Sequence, residues 1–534
     1  MAALDLEGEN SNMNGRLTRR NFCKLTAAAA GVTLVPSAGF RAAADSAPRE
    51  VVHDFTVRAV TRTPWPDGVA KKGGMILVND SLPGPTIRAR EGDTIVVRVK
   101  NALPEGTSIH WHGMTQLGTW QMDGVANVSQ EPIPPGETFE YRFKAEPAGT
   151  HLWHSHTGVQ YGEGMFGLLI VDALDDPYRG DYDVERTVCI NDWFHQPGTE
   201  ILSNVVKGVY MKPMNMGAGQ RGAMKGGAAP PAMDAGPDLG DVPFQSALIN
   251  GKGRAGTSQS PLEVFAVEPK QRVRFRMANI GSTYEMRVRL DGHRMTVIAV
   301  DGIPTMPLTV DSVVLDVGER CDAIVEMSQP VSSYWLRANT LDPRSRDGVR
   351  AIVRYAGAPA VEPPATPARW GTELDYNALR ARGGVQVPAP DLVGTHVLGG
   401  TMKPYRWTWD GRSFVAPRTS FRTEPRAADP PVTQIAVQQG QNVRLILNNP
   451  TGMGHPFHIH GRHFQVLYQS PNGAGNYNNG PLNMNGPCEK DTVSIHAGGH
   501  AVIQWKENNP GFWFFHCHIE WHLAMGMAVV IRST

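Results

Sequence analysis

Four His-x-His pairs punctuate this chain: His110/His112, His154/His156, His458/His460 and His516/His518. On a strand, residues i and i+2 share a face, so each pair presents two imidazoles to one side. The residue between them points to the other side, and in the last pair that residue is Cys517. The stretch HCHIEWHLAMGM, His516 to Met527, follows WFF and precedes AVVI, and reads as a strand running into a short bend. Such a strand offers two imidazoles to one metal centre and a thiolate to a second, with only backbone between.

Downstream of Cys517, His522 and Met527 follow at five-residue intervals, and His455 opens another motif, HPFHIHG. A thiolate, two imidazoles and a weak thioether are the donor set of a blue-copper electron-transfer site. One His-x-His pair is weak evidence, because buried histidines are common and usually satisfied by a backbone partner. Four in repeat-related positions, one of them around a cysteine, point to metal.

The repeats carry the domain organisation. EGDTIVVRVKNALPEGTSIHWHG (91–113) parallels QGQNVRLILNNPTGMGHPFHIHG (439–461), and residues 134–165 parallel 496–527. EPKQRVRFRMANIGSTYEMRVRLDGH (268–293) keeps the strand pattern without paired histidines. At 534 residues the chain is too long for one core. Alternating stretches such as TIVVRV and FEYRF, set among 57 glycines and 41 prolines, predict all-β sandwich units. We place them at 50–175, 180–358 and 391–534, with a Pro-rich linker at 359–390 crossing the surface. Opposite Cys517, His522 and His455 the first unit has Ser155, Gln160 and Thr107. It keeps the paired histidines but lacks the strong donors of the thiolate site, and Met165, opposite Met527, is expected to pack in the core.

Acidic and basic residues balance at 51 each, which gives no basis for binding nucleic acid or an anionic membrane. Residues 1–44 read as a twin-arginine signal peptide: Thr18-Arg19-Arg20-Asn21-Phe22-Cys23-Lys24, an apolar run from Leu25 to Val35, then Ala42-Ala43-Ala44. That run is too short to span a bilayer, so a soluble protein exported already folded to the periplasm or beyond is expected. Cys23 leaves with the signal; Cys189 and Cys321 read as buried thiols, and neither they nor Cys488 can be paired from sequence.

In HWHG, HSH, HPFHIHG and HCHIEWHLAMGM, and across nearly all of the mature chain, the sequence resembles the multicopper oxidases: three-domain laccases, ascorbate oxidases and copper-resistance oxidases of the CopA type. The resemblance implies three consecutive cupredoxin-like Greek-key β-sandwich domains and four copper ions. Type-1 copper would be held by His455, Cys517 and His522 with Met527 axial, and type-2 copper by His110 and His458. The type-3 pair would take His112, His154 and His518 on one ion, and His156, His460 and His516 on the other. Met527 in the axial position implies a modest oxidant. Asp123 matches the family's acid near the cluster and would supply protons to oxygen, although Asp123-Gly124 also reads as a plain turn. Leu523 stands where some bacterial members have a glutamate, and Glu131 where many members have a disulfide cysteine. Glu520 reads either as a group orienting a ligand histidine or as an exposed rim charge. His151, His463, His496 and His500 fall outside the pattern.

The implied activity is oxidation of phenols one electron at a time, coupled to four-electron reduction of O2 to water. A cuprous oxidase protecting the periplasm is the alternative, and a non-catalytic copper-binding protein is the second. MKPMNMGAGQRGAMKGGAAPPAM bears on the former, because Met211, Met214, Met216, Met224 and Met233 are soft donors suited to Cu(I). Copper nitrite reductases are excluded, since they have two domains and no histidine on both sides of the cysteine.

Overall fold

The computed structural model describes residues 47–61, 65–210, 242–341, 348–384, 386–402, 405–423 and 432–534. The signal segment and the five methionines of 211–233 lie outside the described residues. Pro48–Thr534 forms one compact unit.

Among the described residues, strands in this unit form six sheets, in three consecutive pairs of four and four, six and five, and six and five strands. The pairs span Glu50–Asp172, Val184–Tyr355 and Leu392–Ser533. Each repeats one wiring. The opening strand runs parallel to a later one: Glu50–Val60 with Thr94–Asn101, Val184–Trp193 with Arg272–Asn279, Leu392–Met402 with Asn442–Asn449. The second sheet of each pair closes with a further parallel match, Ile87–Arg90 on Phe166–Asp172, Val264–Val267 on Val349–Tyr355, and Gln434–Val437 on Ala528–Ser533. Non-consecutive strands are thus neighbours throughout, which is the Greek-key order expected of three consecutive cupredoxin-like sandwiches. Two α-helices occur among the described residues, α1 (Gly198–Val206) and α2 (Glu520–Ala524). No helix among them is long and apolar enough to cross a membrane.

Alternation builds the cores. In Thr94–Asn101, Ile95, Val97 and Val99 are fully buried while Arg98 and Lys100 face water. Trp111 lies between its flanking histidines, with ring centroids 5.1 Å from both Tyr141 and Phe143. That anchor fixes which way strand Ile109–His112 turns its histidines, since a one-residue slip would send both into the core. Segment 359–390 makes specific contacts along its course: Leu374, Tyr376, Leu379 and Val387 are buried. It forms single bridges to Thr305 and Ser312 on one side and to Asn485 and Pro487 on the other.

Candidate metal centres

Two strand pairs bring the His-x-His motifs together. His110 lies opposite His154 in the ladder of Ile109–His112 and Gly149–Ser155. His458 lies opposite His516, and Phe457 opposite Cys517, in the ladder of His455–Ile459 and Gly511–Cys517. All eight rings gather in one place: His110 stacks on His460 at 3.8 Å between centroids and His112 on His458 at 3.6 Å. His154 and His518 stand 5.0 Å apart, and His156 and His516 5.1 Å.

Hydrogen-bond partners decide the tautomers. The Nδ1 atoms of His110, His154, His458 and His516 lie 2.8–3.0 Å from the backbone oxygens of Asp123, Ser155, Asp491 and Cys517, and His460 Nδ1 lies 2.8 Å from Asp123 Oδ2. Carbonyl and carboxylate oxygens only accept, so each of these Nδ1 atoms carries the hydrogen and each Nε2 is bare. Burial pushes His154, His460 and His516 well below the ordinary histidine pKa and lowers His458, which keeps the rings neutral. Yet His460 Nε2 stands 3.0 Å from His516 Nε2, and His110 Nε2 stands 3.4 Å from His458 Nε2. His154 Nε2 is buried with no hydrogen-bond partner among the described residues. Lone pairs facing one another with no hydrogen between them repel, and a cation between them removes the conflict. The donor set fits metal: ligand atoms of His156, His460 and His516 lie within 4.8 Å of one another, as do those of His110, His112 and His154.

The thiolate site lies on the opposite face of the same strand. Cys517 Sγ is 3.7 Å from His455 Nδ1 and 3.4 Å from His522 Nδ1, which are 3.0 Å from each other. A point equidistant from these three atoms lies about 2.0 Å from each, close to first-row metal–ligand bond lengths. Thr451 Oγ1 gives its hydrogen to Asn449 Oδ1 and accepts from His455 Nε2 at 3.0 Å, which leaves His455 Nδ1 bare. Met527 is fully buried, and its carbonyl accepts from Cys517 N. Trp407 packs 4.8 Å from His455 and 4.5 Å from His522. The sequence reading missed it, because its strand precedes the first ligand by some fifty residues.

The first sandwich retains the frame of this site without its chemistry. Ser155 N donates to Met165 O as Cys517 N does to Met527 O. Where donors would stand, Thr107 Oγ1 and Ser155 Oγ both donate to Gln160 Oε1, at 2.7 and 3.0 Å. Met165 is fully buried 3.5 Å from Thr107 Oγ1, in keeping with its expected packing role. A satisfied polar cluster thus fills the space of the corresponding metal site.

Acidic groups support the rings. Asp123 is buried, with Oδ2 on His460 Nδ1 and Oδ1 3.2 Å from His110 Nδ1. Its turn is structural as well: Gly124 has φ +82, and a Cβ there would run into the Ile109 carbonyl. Asp491, unsuspected from sequence, lies 3.1 Å from His112 Nε2 and pairs with Arg320 of the middle sandwich. Burial would raise its pKa, but the Arg320 guanidinium holds this carboxyl well below the usual range. The signal available was a charged pair, Lys490-Asp491, at the head of the short strand Thr492–Ile495.

Glu520 fits neither expectation. It is buried, so it is not a rim charge, and its carboxylate accepts from Gly162 N at 3.1 Å rather than from a ligand ring. Burial pushes it up to about 8. Glu131 Oε1 accepts from Ser420 N, Ser420 Oγ and Thr423 Oγ1, a clasp of hydrogen bonds at the position where many members of the family resembled have a disulfide cysteine. Cys189, Cys321 and Cys488 are buried and outside any disulfide, and burial raises all three thiols. His151 and His463 stand beside the Arg320 pair, His151 Nδ1 3.4 Å from Arg320 and His463 Nε2 3.4 Å from Asp491.

Family models described as multicopper oxidase match residues 59–176, 185–358 and 388–534. Laccase-2 of Podospora anserina is 32% identical, over 90% of this chain and 78% of that protein. Laccase-1 of Trametes villosa is 32% identical, over 88% and 87%. Among solved structures, the laccase of Botrytis aclada superposes with a TM-score of 0.77 at 27% identity, covering 91% of this chain and 88% of that one.

Proposed function

The chain belongs to the multicopper oxidase family, an oxidoreductase that acts with O2, and on that premise we propose that it is an exported, laccase-like oxidase of phenols carrying four copper ions. The observation that carries the copper reading is the set of bare, buried ring nitrogens facing one another on one side of Cys517 while its sulfur meets two more on the other.

On this reading His455, Cys517, His522 and Met527 hold type-1 copper, and His110 and His458 hold type-2 copper. His112, His154 and His518, with His156, His460 and His516, hold the type-3 pair. Copper bound there supplies one-electron acceptance at the thiolate and four-electron reduction of O2 at the cluster. The protein's part is to space the two donor sets by the width of one strand, so that the bonds from Cys517 to His516 and His518 join them. Trp407 shields the thiolate-side rings from water, and Met527 would add a weak thioether donor that makes the bound copper a modest oxidant. Asp123 holds His460 in its ligating tautomer and, with Oδ1 3.2 Å from His110 Nδ1, is the carboxyl group assigned to proton delivery. The sandwiches are assigned to 50–175, 180–358 and 391–534, with export through the twin-arginine machinery to the periplasm or beyond.

Methionines 211–233 favour a second reading, oxidation of Cu(I) as a copper-resistance function. Oxygen consumption by the copper-loaded protein separates the two. Phenol oxidation predicts turnover on a diphenol without added copper. The cuprous reading predicts turnover on Cu(I) that falls when Met211, Met214, Met216, Met224 and Met233 become Ser. Consumption on neither substrate would reject catalysis in favour of the copper-binding reading.

A further inference from the structure

Among its described residues the middle sandwich places no ligand at the candidate metal centres, yet one of its side chains reaches the base of the cluster. Arg320 is fully buried, and its five N–H groups can each be traced. Nε donates to Thr150 O at 3.0 Å, in the first sandwich. Nη1 donates to Asp491 Oδ1 at 2.6 Å and to Gly318 O at 2.9 Å. Nη2 donates to Asp491 Oδ2 at 2.5 Å and to Asp301 O at 3.1 Å. A single guanidinium therefore binds all three sandwiches and grips the Asp491 carboxylate with both branches of its fork.

The consequence falls on His112. Its Nε2 lies 2.9 Å from Arg320 Nη1, but both hydrogens of Nη1 are committed elsewhere, so Arg320 donates nothing to the ring. His112 Nε2 instead carries its own hydrogen toward Asp491 Oδ1, 3.1 Å away, with Thr492 Oγ1 at 3.3 Å. That leaves His112 Nδ1 bare, 3.1 Å from His518 Nε2 and on the cluster side. Thr492 Oγ1 donates to Asp491 Oδ1 and lies 3.2 Å from His458 Nδ1, so the same carboxylate also steadies the other ring. Gly318 completes the contact: with φ +88, a Cβ there would stand 2.9 Å from His518 and 3.0 Å from His112.

We propose that Arg320 is a positioning residue through which the middle sandwich sets the tautomer of His112 and the orientation of both His112 and His458, by fixing Asp491 between them. This rests on the copper reading above. It predicts that the cluster, and not the thiolate site, depends on Arg320. The thiolate site lies on the other face of strand Gly511–Cys517 and shares none of these contacts.

The test is copper-loaded Arg320→Gln, with Arg320→Lys and the near-isosteric Asp491→Asn beside it, should the first fail to fold. Type-1 copper is read from the blue band and type-2 copper from electron paramagnetic resonance, with total copper per chain. All three variants should keep the blue band while the type-2 signal broadens or is lost, copper per chain drops, and affinity at the cluster weakens about 10–100-fold. The double variant Arg320→Gln/Asp491→Asn should be no worse than either single one, because the two residues act as a unit. An unchanged type-2 signal in Arg320→Gln or Asp491→Asn overturns the proposal, as does an equal loss of type-1 and type-2 copper, the mark of mere sandwich docking. Wild-type protein with no type-2 signal would instead overturn the copper reading itself.

Discussion

Replacing Asp123 by Asn separates the two tasks assigned to that side chain. The carboxylate holds the charged hydrogen bond to His460 Nδ1 at 2.8 Å and stands 3.2 Å from His110 Nδ1, while the bond from His110 to the Asp123 backbone oxygen is untouched by the substitution. An Asn oxygen can still accept from His460. A charge-assisted bond worth about 1.5–3 kcal/mol then becomes a neutral one worth about 0.5–1.5 kcal/mol. The difference, about 1–1.5 kcal/mol, corresponds to roughly a tenfold loss of copper affinity at the cluster. Proton delivery is a larger effect, since a positioned acid contributes about 100- to 10,000-fold. The assay is stopped-flow: protein reduced without oxygen is mixed with O2, and return of the blue band is followed alongside copper per chain. The expected result is near-full copper, unchanged reduction by a diphenol, and reoxidation at least about 100-fold slower. Reoxidation slowed only in proportion to lost copper would refute the proton role and leave Asp123 as a holder of His460.

Cys517→Ser should abolish both the blue band and turnover, and circular dichroism should show the fold intact because the hydroxyl fits the buried thiol's space. Glu131→Ala removes three hydrogen bonds between the first and last sandwiches; with the carboxylate exposed, urea unfolding should show a loss of only about 1 kcal/mol. Glu185 gives a pH signature. Burial would raise its pKa, but the guanidinium groups of Arg276, Arg88 and Arg274 outweigh that and bring it down to about 2 from 4.5. A depressed carboxyl contributes stability fully above the unfolded value and loses it as pH falls toward the folded one. Glu185→Gln should therefore cost about 3 kcal/mol at pH 7, with the difference from wild type closing between about pH 4.5 and pH 2 in urea titrations.

The candidate ligands were legible because their logic is local. Two histidines at i and i+2 must share a strand face, and the residue between them must point away, whatever the rest of the chain does. The repeat of 91–113 in 439–461 likewise announced two related sandwiches, and the absence of histidine pairs in 268–293 announced a third unlike them. Ser155, Gln160 and Thr107 could be read as lost donors by register alone. What replaced the donors, a closed set of hydrogen bonds around Gln160, could not be read, because it depends on side-chain directions across three segments.

Arg320 and Asp491 are 171 positions apart, and no periodicity links them. They meet because three sandwiches dock around one point, where an unpaired guanidinium or carboxylate out of water would be costly. Glu520 shows the same limit, since its buried place beside Gly162, 358 positions away, reverses both readings its neighbours in sequence suggested. Strand alternation, a property of a few consecutive residues, thus determined which side chains could bind metal. Docking between distant sandwiches decided which charges surround them, because burial and pairing exist only once the sheets have met.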